Sequence, residues 1–233
     1  MKLTSQQIND APIILNIENK LTLLLRNLNI TEINNLQITN NKFQVIDLTN
    51  NDLIKLDNIP KNFDNLETLL LANNNITYID EEYFPSENHI KSISLMNNNI
   101  YRFQKCFYDK FQNLENLILL GNPITNLENY RLFMIWLVPS LKVLDLEKVK
   151  PKEKEESEKL YGENRIQFGV KAEKMINKFN TISNGVSKDE KQMNTVVKKL
   201  TDQEKKELLS KLQNCDSIEE IEKIETALRE GVI

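Results

Sequence analysis

The chain has 233 residues, of which 40% are hydrophobic, and a formal net charge of −4. Its length allows one or two domains with a hydrophobic core, and its charge shows no overall basic bias toward nucleic acid. The cysteines, Cys106 and Cys215, stand in no C-x-x-C spacing, so neither a disulfide framework nor a zinc site is expected. The longest apolar run, 132–138, is too short to span a bilayer, and the N-terminus lacks the pattern of a secretory signal.

Residues 1–20 form a lead-in to a repeated pattern. Their apolar members are predicted to cover the open first edge of a stack of repeats: Ile13, Ile14, Leu15 and Ile17. A degenerate first repeat follows at 23–33, in which Leu28 stands where the later repeats carry an asparagine. Atypical terminal repeats are expected in such stacks.

The same apolar pattern then occurs four times between Phe43 and Ile124. Each copy places three apolar residues before an asparagine and one after it, in the spacing Φ-x-x-Φ-x-L-x-x-N-x-Φ. The four asparagines are 23, 24 and 24 residues apart: Asn51, Asn74, Asn98 and Asn122. Strand side chains alternate faces, so the apolar pair of each copy points inward, while the asparagine amide can satisfy backbone groups where the strand ends. This period and pattern are typical of leucine-rich repeats, which predicts an α/β solenoid with short parallel strands on its concave face.

The segments that follow the asparagines are predicted to build the convex side. They contribute Phe84 and Pro85 in one connector and Cys106, Phe107 and Phe111 in another. Cys106 is expected to be a small core residue. His89, the single histidine, is expected to be structural, since no nucleophile or carboxylate motif accompanies it.

A C-terminal cap is predicted after Asn122. A helix ending near Val138 would bury residues that recur at three- and four-residue steps: Tyr130, Phe133, Met134 and Leu137. Trp136 is expected to pack on the same end, Pro139 to stop the helix, and 141–146 to form one last strand.

The remainder divides into three stretches. A charged helix supported by i,i+4 pairs is predicted after the cap, and with it the leucine-rich-repeat domain with its covers spans 1–165. Residues 166–200 are predicted to be a linker, partly helical or disordered. Two capping boxes, at Thr201 and Ser217, predict a short helical hairpin over 201–233.

Catalytic motifs are not found in the sequence: there is no phosphate loop, no H-E-x-x-H and no nucleophile with a base. Recognition by the concave face is therefore predicted, with no cofactor and no metal. Several apolar residues and a few acidic ones point outward there, which suits an amphipathic helix with basic flanks. The predicted partner-binding set is Leu24, Arg26, Val45, Asp47, Thr49, Thr68, Leu70, Ala72, Ser94, Met96, Ile118, Leu120, Asp145 and Glu147. Loops or the chain's own tail covering this face remain the alternative.

The cap and the segment after it resemble a known family. Asn122-Pro123, Tyr130-Arg131, the Val143-Leu144-Asp145 run and the lysine-rich 148–150 resemble the A-prime proteins of the U2 small nuclear ribonucleoprotein. The final residues, 217–233, are also similar to the C-terminus of that family.

The resemblance implies a nuclear, non-catalytic scaffold in pre-mRNA splicing. It implies that the concave face holds a partner with an RNA-recognition motif, of the B-double-prime type, and that the pair binds U2 small nuclear RNA, mainly through that partner. Phosphate contacts would come from Arg26, Lys148, Lys150, Lys152 and Lys154. The hairpin at 201–233 could meet other spliceosomal proteins, and no membrane is involved. A regulatory leucine-rich-repeat subunit of a phosphatase or a motor is the competing interpretation.

Overall fold

The structure is a computed structural model, which describes residues 1–165 and 168–177. The predicted hairpin at 201–233, Cys215 and most of the predicted linker lie outside these residues. The strands are β1 (Ile13–Leu15), β2 (Leu21–Leu24), β3 (Val45–Asp47), β4 (Lys55–Leu56), β5 (Thr68–Leu70), β6 (Tyr78–Ile79), β7 (Ser92–Ser94), β8 (Asn116–Ile118), β9 (Val143–Leu144) and β10 (Glu147–Lys148). The helices are α1 (Ser5–Asp10), α2 (Cys106–Lys110), α3 (Tyr130–Leu137), α4 (Pro151–Tyr161) and α5 (Val170–Asn177), and short 3₁₀ turns cover Leu36–Thr39 and Pro123–Asn126.

Eight of these strands form one sheet in the order β1-β2-β3-β5-β7-β8-β9-β10. The pairs from β2 to β9 are parallel, whereas β1 and β10 pair antiparallel at the two ends. β4 and β6 form a second, two-stranded sheet within the connectors. The predicted α/β leucine-rich-repeat fold is confirmed.

The core lies under the eight-stranded sheet. The middle residue of each strand is buried, with almost no exposure: Leu23, Ile46, Leu69, Ile93 and Leu117. These residues pair in register along the stack, so each repeat buries its apolar edge against the next. The aromatic residues of the connectors, including Phe84, Phe107 and Phe111, complete the same core.

Each repeat asparagine connects two turns of the solenoid. The Asn74 amide nitrogen donates to the carbonyls of Leu71 and Leu48, both at 3.0 Å, and its oxygen accepts from the Leu53 amide at 3.1 Å. Asn51, Asn98 and Asn122 make the equivalent bonds. The predicted role of these asparagines is confirmed, because they satisfy carbonyls that would otherwise be buried and unpaired.

A left-handed backbone position precedes each of these asparagines. Asn50, Asn73 and Asn97 hold it with φ between 53° and 57°, and Asn tolerates this region better than most residues. Gly121 holds it in the next repeat with φ +77°, where a Cβ would come within 2.2 Å of the Asn97 side-chain oxygen. The turn and this close approach together explain glycine at that position.

The first edge of the stack is covered differently from the prediction. β1 covers the first edge of the sheet by pairing with β2, but the side chains of Ile13, Ile14 and Leu15 are exposed, as is Ile17, so these side chains do not bury apolar surface there. Leu3 and Ile8 are buried in their place, and Thr4 caps α1 through the Gln7 amide. The physical reason is that β1 adds to the sheet edge, where no further repeat lies beneath it.

The helix of the C-terminal cap buries the predicted residues. α3 buries Tyr130, Phe133, Met134 and Leu137, together with Trp136. Trp136 donates its indole N–H to the Gly162 carbonyl at 2.6 Å and packs edge-on against Phe168, with ring centroids 5.3 Å apart. α5 continues this packing with a buried Ala172. Packing on the cap therefore extends beyond residue 165, into the segment predicted to be a linker.

The last predicted strand is interrupted. Asp145 and Leu146 both have positive φ, so the chain reverses after β9 and returns as β10.

Cys106 is buried, as predicted, and burial raises the pKa of its thiol. His89 is exposed, 3.8 Å from an Asp64 carboxylate oxygen. No helix within 1–165 or 168–177 has the length and apolar character to cross a membrane.

Candidate protein-binding face

The outward face of the eight-stranded sheet, here called the concave face, carries its side chains in columns. The central column runs through one residue of each strand in register: Leu24, Asp47, Leu70, Ser94 and Ile118. The prediction continued this column to Asp145, but the pairing of β8 with β9 ends at Leu117 and Leu144. The column arises because strand side chains alternate faces and because the repeat length brings equivalent residues side by side.

Apolar side chains remain partly accessible along this face. Leu24, Leu70 and Ile118 are partly exposed in the central column, and Ala72 and Met96 are partly exposed beside it. Leu120 is 37% exposed at the end of β8. Thr49, Thr68 and Ser94 provide small polar surface between them. The result is an interrupted apolar strip bordered by hydroxyl groups.

Two predicted contact residues are not accessible. Val45 is buried, and Asp47 has 0% exposure. The Asp47 carboxylate accepts hydrogen bonds from the Arg26 side chain and, at 3.0 Å, from the Thr49 amide. The hydrogen bond to Asp47 also raises the pKa of Arg26. Because this ion pair neutralises the carboxylate within the sheet, the prediction of a free acidic contact at Asp47 is wrong.

Asp145 is also engaged within the chain. Its carboxylate accepts from the Tyr130 hydroxyl at 2.7 Å and from the Leu119 amide at 2.6 Å. Burial raises the pKa of Tyr130, which keeps the hydroxyl protonated as a donor. Asp145 therefore ties α3 to the end of β8 and is not an open acidic contact.

Glu147 does not continue the columns of the concave face. It lies on β10, after the chain reversal, and pairs antiparallel with Leu144. Its side chain is exposed and stands 3.7 Å from Arg131. Of the three predicted acidic residues, Glu147 is therefore the one that is open to solvent.

A row of ion pairs lies where the strands begin. Glu67 bridges Lys20 at 3.0 Å and Lys91 at 2.6 Å, and Glu115 pairs with Lys142 at 2.7 Å. Hydrogen bonds from Lys91 and Lys20 lower the pKa of Glu67. The sequence analysis did not predict this row, although a charged residue stands one position before each of the strands β2, β5, β7, β8 and β9, and the sign of the charge alternates along that series.

A hollow of about 440 Å³ adjoins the N-terminal end of the concave face. Pro12, Leu24, Arg26 and Leu28 line it together with residues of α1. The sequence did not predict it, because it depends on how α1 sits beside β2. It extends the accessible apolar surface beyond Leu24.

The predicted phosphate contacts divide into free and engaged side chains. Lys148, Lys150 and Lys152 are exposed around β10 and the start of α4. Lys154 donates to the Pro139 carbonyl at 2.7 Å, and Arg26 is paired with Asp47.

The acidic residues that alternate with these lysines in sequence are partly neutralised. Glu153 accepts from Arg131 at 2.7 Å, and Glu158 accepts from Arg165 at 2.8 Å. Lys148, Lys150 and Lys152 are therefore accessible to a phosphate, although the exposed carboxylates of Glu147, Glu155 and Glu156 are close to them in the sequence. Among the residues described, no group of three or more His, Cys, Asp or Glu side chains could hold a metal ion.

The fold and this face define a leucine-rich-repeat scaffold protein. The leucine-rich repeat family signature matches residues 1–174. The U2 small nuclear ribonucleoprotein A' of Candida albicans is 61% identical over the full length of both chains, and that of Debaryomyces hansenii is 45% identical over 99% of each. A crystal structure of the Drosophila melanogaster SNF/U2A' complex contains a chain that is 36% identical, with a TM-score of 0.62, over 69% of this chain and 92% of that chain.

The chain belongs to the U2 small nuclear ribonucleoprotein A' family. Members of this family are scaffold proteins rather than enzymes.

Proposed function

We propose that this protein is a nuclear, non-catalytic component of the U2 small nuclear ribonucleoprotein that holds an RNA-binding partner on its concave face. The partner has an RNA-recognition motif of the B-double-prime type, and one of its helices lies across the apolar strip. The protein supports that partner's binding to U2 small nuclear RNA during pre-mRNA splicing. The names of its relatives and the solved SNF/U2A' complex support this proposal.

The observation that carries the proposal is the apolar strip itself. Leu24, Leu70 and Ile118 stay partly exposed in one register, although every neighbouring inward residue is buried. Exposed apolar side chains gathered on one face mark an interaction surface. An amphipathic helix with its apolar positions toward the strip fits this arrangement.

The charges on the face do not support the expectation that basic flanks of the partner helix meet acidic residues there. Asp47 and Asp145 are occupied by Arg26 and Tyr130, so they do not recruit basic flanks of the helix. The binding free energy then comes chiefly from apolar burial, with Glu147 as an accessible acidic contact at one end. Affinity for the partner should consequently change little with salt.

The concave-face proposal is tested by a double substitution, Leu70→Arg with Ile118→Arg. Each change places a charge where the helix would exclude water, so we expect the affinity for the partner to fall by about a hundredfold or more. Isothermal titration with the purified partner measures this affinity. Val170→Arg, at a 70% exposed position on α5, is the matched control and should bind normally.

Two results would contradict the proposal. Normal partner binding by the folded double variant would remove the concave face from the interface. Absence of U2 small nuclear RNA from material that co-purifies with the tagged protein would favour a regulatory subunit of some other complex.

The exposed lysines are proposed to contact RNA phosphates within the partner complex. Replacing Lys148, Lys150 and Lys152 with glutamine should weaken binding of the pair to a U2 stem-loop by about tenfold at low salt and flatten its salt dependence. Filter binding across a salt series measures both quantities. Lys159→Gln, an exposed change farther along α4, is the control. An unchanged salt slope in the triple variant would exclude these lysines from the RNA contact.

A further inference from the structure

The hollow of about 440 Å³ continues the concave face at its N-terminal end. Leu24 is the first residue of the central column and is also part of the wall of this hollow. An occupant of the hollow would therefore adjoin a helix that lies on the apolar strip. A helix is about 10 Å across, so a hollow of this size takes one or two side chains from the end of a helix rather than the helix itself.

A leucine stands in this wall where the other repeats carry an asparagine. The four repeat asparagines are buried, and each bonds to a carbonyl of the preceding repeat. Leu28 belongs to the first repeat, so no preceding repeat needs such a donor, and its own backbone amide donates to the Asn51 side chain at 3.0 Å. Its apolar side chain stays partly exposed. Ala11 and Pro12 add further carbon surface to the wall.

Polar side chains of the wall are engaged within the chain. The Gln7 amide donates to the Thr4 hydroxyl at 3.2 Å, and the Thr4 amide donates to the Gln7 side-chain oxygen at 2.9 Å. Arg26 is paired with Asp47. A polar group inside the hollow would lose water without gaining equivalent hydrogen bonds from these residues. The hollow therefore favours an apolar side chain.

Arg26 gives one side of the hollow a flat surface in a fixed position. The Arg26 side chain is 51% exposed, whereas the Asp47 side chain that holds it is 1% exposed. Because this ion pair balances the charge, the hollow does not require an acidic occupant. A guanidinium can stack on an aromatic ring, which an aliphatic side chain does not offer. Among apolar occupants, the wall thus favours an aromatic one.

We propose that an aromatic side chain of the RNA-recognition-motif partner fills this hollow and stacks on Arg26. The inference rests on the proposed function, because it places the end of the partner helix beyond Leu24. The ring covers Leu24 and Leu28, and it fixes the position of the helix along an apolar strip that is otherwise interrupted by polar residues. Aromatic residues that fill pockets are frequent anchors of protein interfaces.

The first test fills the hollow from this chain's own side. Gln6→Phe places a phenyl ring at an exposed position in the wall, and Asn9→Phe places the same ring at an exposed position of α1 outside the wall. We expect Gln6→Phe to lower the affinity for the purified partner about tenfold and Asn9→Phe to leave it within about twofold. Isothermal titration of each full chain with the partner measures the affinity.

A second test addresses the stacking. Arg26→Lys keeps the positive charge beside Asp47 but removes the planar group. We expect the affinity for the partner to fall about fivefold, while the melting temperature of the free chain stays near the native value.

A third test identifies the aromatic residue. Each exposed aromatic residue of the partner is replaced by alanine in turn. One of these substitutions should lower the affinity about tenfold against the native chain and less than about twofold against Gln6→Phe, because the hollow of that variant is already filled.

Several results would overturn the proposal. They are native affinity of Gln6→Phe or of Arg26→Lys, and the absence of any partner aromatic residue whose effect depends on Gln6→Phe. A dimer of the full chain in light scattering that Gln6→Phe dissociates would assign the hollow to a second copy of this chain and would overturn it as well. In each case Leu70→Arg with Ile118→Arg would still lose the partner, so the concave-face function would stand. Normal binding by that double variant would overturn both.

Discussion

Asn74 shows how a single side chain joins two repeats. It bonds to its own strand through Leu71 and to the preceding repeat through Leu48 and Leu53. Because the side chain is buried, nothing from solvent can replace these bonds. Its neighbour Asn75 is exposed and provides a comparison of the same residue type one position away.

We therefore expect Asn74→Ala to destabilise the protein by about 2–4 kcal/mol, because it leaves backbone groups of two repeats unpaired. Asn75→Ala should change the free energy of unfolding by less than about 0.5 kcal/mol. Urea unfolding followed by circular dichroism measures both. Equal effects of the two substitutions would mean that the hydrogen bonds of the buried asparagine do not contribute to the free energy of unfolding.

Arg26 and Asp47 illustrate what the residue pattern could not reveal. Their positions on the outward face were predictable from alternation, but their pairing depends on a long side chain from one repeat reaching a short one in the next. Asp145 is similar, since its partner Tyr130 lies on the cap helix. Accessible acidic residues therefore could not be distinguished from occupied ones by register alone.

At the scale of elements, α3 and α4 are connected by charge as well as by aromatic packing. Arg131 on α3 contacts Glu153 on α4 at 2.7 Å and also donates to the Leu144 carbonyl. Glu153 accepts in addition from the Lys150 amide at the start of its own helix. One carboxylate thus stabilises both the start of α4 and its attachment to the cap.

The hydrogen bond from Arg131 lowers the pKa of Glu153 in the folded protein. A lowered folded pKa means that the stabilisation is present above the ordinary glutamate value and is lost as the pH falls through the folded value. Glu153→Gln should therefore be less stable than the native chain near neutral pH, and the difference should shrink as the pH falls below the ordinary glutamate pKa and through the lower pKa of the folded protein. Thermal unfolding across this pH range measures the difference.

Glu156→Gln is the control for this prediction. It removes the same charge from an exposed position on the same helix. We expect its effect on unfolding to be small at every pH. A stability difference for Glu153→Gln that does not change with pH would show that the charge of Glu153 is not involved.

β10 shows which element the sequence did not predict. The apolar pattern continues through Leu144 and Leu146, which indicated one strand over 141–146. Leu146 instead has φ 67°, a conformation that no property of leucine signals. The reversal is set by the tertiary contacts of Asp145, and it removes Glu147 from the columns of the concave face.

For the whole molecule, the repeat period predicted most of the architecture. Leu24, Leu70 and Ile118 fell on one column because the period brings equivalent residues together. The ends were less predictable, since neither β1 nor α5 belongs to the repeated pattern. How an open end is covered depends on contacts distant in sequence, such as Phe168 on Trp136.

A stack of repeats requires closed ends, and the described cap can be tested as a unit. A chain that ends after Val149 lacks α4 and α5 and exposes Phe133 and Trp136. We expect its melting temperature to lie about 10 °C or more below that of a chain that ends after Asn177. Calorimetry of the two truncated chains measures this. Equal melting temperatures would mean that α4 and α5 do not seal the stack.

The indole of Trp136 is the only one in the chain and sits where α3, α4 and the segment after α4 converge. Its fluorescence is therefore an intrinsic probe of the packing at the C-terminal end of the repeat stack. A red-shifted emission that precedes the loss of circular dichroism on heating would identify the C-terminal end as the place where melting begins.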